Sequence, residues 1–237
     1  MKEPPWRPGV VRRPAKPERP AKTPLSQAQI VEAALRIVKV DGVDGVSMRR
    51  IAAEFDTGPS SLYAHVASKD ELLQLMFEEV CGLVELPPLD PARWQEQVRE
   101  VARSGHQVLL DHYDLARAAL GMIPSGPNAM RISEALLTLM LAGGVPSRVA
   151  AWAMDRIFLY ITADAYEMSL WRGEAYAAAG EIVELGEDLV AYFEELPEDV
   201  YPNLRKYARD MIGGGTEARF ELGLDLLVGG LDKFVTK

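Results

Sequence analysis

Apolar residues at Ile30, Ala33, Ala34, Ile37 and Val38 recur at spacings of three and four, which predicts one amphipathic helix. Ser26-x-x-Gln29 is a capping box that opens it, and Asp41-Gly42 stops it. Ser47 is placed to cap a second short helix running to Phe55, and a third short helix covers about 60–65. Ser68-x-x-Glu71 is another capping box, opening a fourth helix to about Val84 that Pro87-Pro88 ends. Asp90 as N-cap, followed by Pro91, begins a fifth helix that reaches about Asp111. Further helices are predicted near 114–121, 127–142 and 146–171. Weaker patches follow near 181–195 and 203–211, and a last helix spans about 216–235. Alternating strand patterns of useful length are missing, so the pattern predicts an all-α protein of nine or ten helices.

The chain has 237 residues, 48% hydrophobic and 26% charged, which is ample for a buried core. Its single cysteine, Cys81, excludes an internal disulfide framework. With only three histidines, His65, His106 and His112, a metal site is not expected, and no cofactor is implied. The longest apolar stretch, 136–145, holds two glycines and is about half of a membrane span. With no secretory pattern at the N-terminus, the expectation is a cytoplasmic protein with no membrane partner.

Charge is uneven. Residues 1–25 carry seven basic residues against two acidic ones, whereas the whole chain has a net charge of −9. Seven prolines within the first 24 residues exclude helix or strand there and predict a disordered basic arm. Arg13-Pro14-Ala15-Lys16 recurs as Arg19-Pro20-Ala21-Lys22, so Arg13, Lys16, Arg19 and Lys22 fall on every third position. In polyproline II geometry these four charges line one face, roughly 9 Å apart, spaced for a polyanion. A solvated tail is the competing reading.

Residues 47–66, SMRRIAAEFDTGPSSLYAHV, give a short helix, a tight turn at Asp56-Thr57-Gly58 and a second short helix. Ile51, Ala52, Phe55, Leu62 and Val66 supply the apolar contacts between them. The pattern fits a helix-turn-helix, and on periodicity alone it also fits a plain helical corner.

The longer string resembles the TetR family of bacterial transcriptional regulators. It comprises Asp41-Gly42, then Val46-Ser47-Met48-Arg49-Arg50-Ile51-Ala52, then Ser61-Leu62-Tyr63-x-His65-Val66-x-Ser68-Lys69-x-Glu71-Leu72-Leu73. Gly126-Pro127-Asn128 and Phe220-x-x-Gly223-Leu224-Asp225-x-Leu227-x-x-Gly230-Leu231 resemble the tetracycline-repressor-like C-terminal class more loosely. The resemblance implies three parts: the arm at 1–25, a three-helix helix-turn-helix DNA-binding domain at 26–72, and a larger helical ligand-binding and dimerisation domain at 73–237.

In such a unit the second helix enters the major groove. The expected DNA contacts are Arg49, as the group suited to bidentate guanine recognition, with Arg50 at phosphate and Pro59, Ser60 and Ser61 at base edges. Tyr63 and His65 match phosphate-contacting positions of the family, and Lys69 sits where a helix start also attracts phosphate. Asp56 replaces the glycine usual at the turn, and Thr57 replaces an apolar residue. Asp tolerates left-handed backbone better than most residues.

The resemblance further implies a homodimer. Phe220, Leu224, Leu227, Leu231 and Phe234, spaced 4, 3, 4 and 3, read as its seam. Val149, Ala150, Ala153, Ile157 and Ile161 on the preceding long helix supply the other half, with ordinary protomer core as the alternative. A ligand cavity is implied among helices 4 to 8, with Phe77, His106, His112, Met122, Phe158, Asp164 and Met168 as candidates. Ala119 falls where tetracycline repressors carry a metal-ligand histidine, and Glu85 and Val101 fall at their drug contacts. The expected effector is therefore another, largely apolar small molecule.

Taken together, these readings point to a ligand-responsive repressor that is not an enzyme. Its partners are a palindromic double-stranded DNA operator, a small-molecule effector and a second copy of itself. The alternatives are non-specific polyanion binding through the arm, or an all-α enzyme, for which no H-E-x-x-H, Asp-rich metal box or Gly-rich phosphate loop is found.

Overall fold

The computed structural model describes residues 25–112, 114–175 and 179–235, with side chains outside 171–185. The arm with Arg13, Lys16, Arg19 and Lys22 lies outside the described residues. All regular structure among the described residues is helical. The order is α1 (Gln27–Asp41), α2 (Met48–Glu54), α3 (Pro59–Leu62), α4 (Lys69–Cys81), α5 (Trp94–Asp111), α6 (Leu115–Ala119), α7 (Pro127–Ala142), α8 (Ser147–Ala175), α9 (Ala179–Glu194), α10 (Pro202–Lys206), α11 (Ala208–Ile212) and α12 (Thr216–Gly229). Short 3-10 turns at Val43–Gly45, Pro91–Arg93 and Gly230–Lys233 complete the set.

The described residues form twelve α-helices, more than the expected nine or ten, because both weaker patches fold as helices and the second of them divides. The 203–211 patch divides into α10 and α11, with Tyr207 at φ −107° and ψ 20° between them. The 216–235 helix ends at Gly229 and tightens into a 3-10 turn. Pro91 begins a 3-10 turn, capped by the Asp90 carboxylate at the Ala92 amide (3.0 Å), and α5 proper starts at Trp94. Ser26 and Gln29 form the expected reciprocal cap on α1. At α4 only half of the box forms. Ser68 accepts from the Glu71 amide, whereas the Glu71 carboxylate reaches the amide of Ala67.

Two large apolar cores result among the described residues, with a small third cluster of Leu109, Ala116 and Ala165. Helices α1 to α4 enclose one around Ile30, Ile37, Ile51, Leu62, Leu72 and Met76. The other joins α5, α7, α8 and α12 around Val98, Leu136, Met140, Ile157, Leu224 and Val228. Helix α4 serves both: Leu72, Leu73, Met76 and Val80 lie in the first, and Cys81 lies in the second with Phe77 packed on it.

The join between α4 and α7 is reciprocal. Glu78 of α4 accepts from the amides of Asn128 and Ala129 at the start of α7, and the Asn128 side chain donates to the Glu78 carbonyl (3.1 Å). Arg131 of α7 donates back to the carbonyls of Cys81 (3.3 Å) and Val84 (2.9 Å) past the end of α4. A carboxylate thus meets a helix N-terminus and a guanidinium meets a helix C-terminus, both favoured by the helix dipole. A Cβ at Gly126 would stand 2.0 Å from the Glu78 carboxylate, so any side chain there would push that carboxylate away from the α7 amides.

The expected dimer seam is corrected. Phe220, Leu224 and Leu231 are buried in the protomer's own core with Ala150, Ile157 and Ile161 of α8, Leu227 is half-buried, and Phe234 is exposed. The 4-3-4-3 spacing marks an apolar face, and α5 and α8 of the same chain cover it. The outward sides of these helices instead show Leu222 (61% exposed) and Leu226 (69%) on α12, and Trp152 (66%), Leu159 and Leu170 on α8.

Gly143, which caps α7, lies against the Trp94 ring, where a Cβ would come within 2.4 Å of indole atoms. Gly143→Val is expected to destabilise the fold by about 1–3 kcal/mol through overpacking. Denaturant unfolding measures it, and a midpoint equal to wild type would contradict the packing described.

Candidate functional site

The turn between α2 and α3 is closed by local chemistry. Asp56 takes up left-handed backbone at φ 49°, as the sequence expects of it. The Thr57 amide returns to the Ala52 carbonyl (3.1 Å), and the Thr57 hydroxyl pairs with that of Ser61 at 2.8 Å. The unusual threonine therefore replaces an apolar contact with a hydrogen bond across the turn. Pro59 occupies the first position of α3, where its missing N–H costs nothing.

The candidate DNA residues separate by their surroundings. Arg49, Pro59, Ser60 and Tyr63 are exposed, Tyr63 by 52%. Among the described residues the Arg49 guanidinium has no hydrogen-bond or ionic partner. His65 is half-buried, and its carbonyl accepts from the Gln27 side chain (3.1 Å). Lys69 is the first residue of α4, and its ammonium lies 3.4 Å from the Val43 carbonyl. Arg50 departs from the expectation: it pairs with Asp41 at the end of α1 and donates to the Gly45 carbonyl (3.4 Å). Its guanidinium ties α2 to the α1 corner, so the free cation of the pair is Arg49.

A second set of contacts, not read from the sequence, joins this head to the body. Asp114, at φ 64°, accepts from the amide of Val43 at 2.9 Å. Arg117 of α6 bridges Asp114 (3.1 Å) and Asp44 (3.0 Å), and the guanidinium holds the Asp44 carboxyl below the usual carboxylate range. Leu115, fully buried, belongs to the head core. Gly42 adopts φ 67° directly beneath the Asp114 carboxylate. The signal in the sequence is Asp114 before a five-residue helix, which resembles an ordinary N-cap. Its side chain, however, caps no amide of its own helix.

The candidate ligand residues fall into two separate places. A narrow apolar cleft of about 30 Å³ lies among α4, α5, α7 and α8, lined by Phe77, Cys81, Gly105, Leu136 and Phe158. It adjoins an opening of about 310 Å³ that shares Phe77, Phe158 and Thr162 and is walled by Ala119, Met122 and Met154. His106, Asp164 and Met168 line a different cavity of about 400 Å³ between α5, α8 and α12. His112 lies at neither: its Nδ1 pairs with the Val108 carbonyl (2.8 Å) at the end of α5. Burial pushes the Cys81 thiol up to about 12, so it is an inert part of the apolar wall. Val101 also lines the cleft, whereas Glu85 is exposed with its amide bonded to Ser104 Oγ (2.8 Å).

Asp114→Ala removes the acceptor of a partly buried amide and is expected to cost about 1–3 kcal/mol. Asp114→Asn keeps an acceptor and tolerates the left-handed backbone, so it should cost less. Urea unfolding of the two variants checks the order, and the reverse order would rule out the capping role.

Residues 30–76 match the family model for bacterial regulatory proteins of the tetR family, and residues 86–235 match that for the tetracyclin repressor-like C-terminal domain. An HTH-type transcriptional regulator of Saccharopolyspora erythraea is 33% identical over 219 residues, covering 91% of this chain and 89% of the relative. The transcriptional repressor DrrR1 of Streptomyces coeruleorubidus is 31% identical over 225 residues, covering 94% of this chain and 83% of the relative. Apo ActR of Streptomyces coelicolor superposes with a TM-score of 0.82 at 40% identity, covering 91% of this chain and 98% of that one. ActR has also been solved with actinorhodin and with (S)-DNPA. With both halves matched and the helix-turn-helix in place, the chain belongs to the TetR family of bacterial regulatory proteins and is a DNA-binding transcriptional regulator.

Proposed function

We propose that the protein is a cytoplasmic homodimeric repressor that leaves a palindromic operator when a largely apolar small molecule enters the body. The observation that carries this reading is the shared position of α4. Its first residue, Lys69, stands in the head, and Phe77 and Cys81, about two and three turns further on, line the cleft. A ligand that moves Phe77 therefore moves the head. Helix α6 supplies a second path, since Asp114 and Arg117 hold the head and Ala119 lines the adjoining opening. The relatives, a repressor among them, and the ActR complexes support regulation by a ligand.

In this reading Arg49 recognises a base edge, and Pro59, Ser60, Ser61, Tyr63, His65 and Lys69 hold the recognition helix and the phosphates. Phe77, Met122 and Phe158 receive the effector. The cleft and its opening are together of the size that a small ligand occupies. The outward leucines Leu222 and Leu226, with Trp152, form the face for the second copy, because apolar groups this exposed favour burial. A two-fold pair of heads calls for two-fold DNA.

Footprinting on the promoters of its own and neighbouring genes tests the reading. A symmetric protected site is expected, and uniform coating at physiological salt would instead leave the arm as the binding element. Arg49→Ala should lose about 1–3 kcal/mol of operator affinity and relax preference at one base pair per half-site. Unaltered base preferences in that variant would remove Arg49 from readout. Deleting residues 1–22 should lower the salt slope by roughly 2–4 units per protomer with sequence preference intact. An unchanged slope identifies a solvated tail. Leu226→Glu should shift sedimentation toward monomer and abolish operator binding, and a stable dimer in that variant would move the interface elsewhere.

A further inference from the structure

The cavity between α5, α8 and the first turn of α12 shares no lining residue with the apolar cleft or its opening. Its chemistry is also opposite. Arg103, His106, Asp164, Glu217, Phe220 and Glu221 form most of its wall. Among the described lining residues one guanidinium faces three carboxylates, a formal −2 with His106 neutral and −1 with it protonated.

The cavity's two cationic or potentially cationic side chains are already paired with carboxylates. Arg103 gives Nε and Nη2 to the two oxygens of Glu221 (2.8 and 2.9 Å) and Nη1 to Glu96 (2.7 Å). This pairing holds the Glu221 carboxyl below its usual range, so the bridge is ionised at neutral pH. His106 Nε2 meets Asp164 at 2.6 Å, and its ring stacks on Phe220 with centroids 3.8 Å apart. The Gln107 amide is given to Asp111. The acceptors remain. Asp164 keeps one oxygen, Thr216 keeps its hydroxyl, and Glu217 has no partner among the described residues.

The same bonds keep the space open. Arg103–Glu221 holds α5 to α12, and His106–Asp164 holds α5 to α8, so the three helices are braced around a volume of about 400 Å³. Leu110 and Met168 give it an apolar flank. A ligand that satisfies it must donate hydrogen bonds, carry positive charge and bring a modest apolar body. Among the described residues an anion would meet carboxylates, with Arg103 and His106 already paired to them.

We propose that this cavity is a binding site for an organic ammonium compound, a primary amine on a small apolar or aromatic frame. The ammonium lies between Asp164 and Glu217, where its three donors find acceptors, and the frame rests against Leu110 and Met168. It is a second small-molecule site, chemically distinct from the apolar cleft.

Calorimetric titration of the full-length protein with 2-phenylethylamine, and with 3-phenylpropionate as its anionic counterpart, tests the assignment. The amine should bind saturably, once per chain, with a preference of about tenfold or more over the carboxylate. Binding should weaken as salt rises. Glu217→Gln alters an exposed side chain without disturbing a partner and should weaken the amine about threefold. Adding Asp164→Asn should deepen the loss to about tenfold or more. Phe158→Trp, which fills the apolar opening, should leave the amine unaffected. Absence of saturable binding, equal binding of both probes, indifference to Glu217→Gln, or loss in Phe158→Trp would each overturn the proposal.

Discussion

Everything in this molecule turns on the double burial of α4. One side places Leu72, Leu73, Met76 and Val80 in the head core, and the other presents Phe77 and Cys81 to the body. A helix that is core to two units cannot shift in one without disturbing the other, because close-packed interiors rearrange in steps rather than deform smoothly. Its far end is fixed by the exchange of Glu78 and Arg131 with α7. The head therefore takes its orientation from the packing of the body, which is the physical condition for a ligand to govern DNA binding.

Polar bonding decides which charges on the head are free. Arg50 is held by Asp41, the hydroxyl of Ser61 is engaged by Thr57, and Lys69 lies near the Val43 carbonyl. These bonds stiffen the turn and leave α3 with small side chains, Pro59 and Ser60, at its start. In the proposed reading such a recognition helix reads little, and discrimination falls on Arg49 and on the relative placement of two heads. The clasp of Asp114 and Arg117 at Val43 and Asp44 adds to that placement.

The body divides its chemistry among three surfaces. The cleft between α4 and α8 is apolar, the cavity beside α12 is polar and acidic, and the outward sides of α8 and α12 are apolar and exposed. Each surface favours a different partner by the cost of desolvation alone. Burying a charge in the cleft is expensive, as is burying an anion beside Asp164 and Glu217. Leaving Leu222, Leu226 and Trp152 in water forgoes about 25 cal/mol for each Å² of apolar area.

Local rules in the sequence were sufficient for the helices and the family. Capping residues Ser26, Ser47 and Ser68, the stop at Gly42 and the prolines at 59 and 127 act within a few residues of themselves, so element type and order were legible without a structure. The helix-turn-helix was legible for the same reason, down to the left-handed Asp56. Partnership was not. The stripe from Phe220 to Leu231 is apolar whether it faces a second chain or its own core, and only the packing of α5 and α8 against it decided for the core. Arg49 and Arg50 are adjacent and chemically identical, and the position of Asp41 in space separates their surroundings. His106 and Phe77 both suit a pocket, yet they face different cavities because α4 carries Phe77 to the cleft whereas α5 turns His106 toward α8 and α12. Hydrophobic periodicity specifies that a face must be buried, and tertiary structure specifies against what.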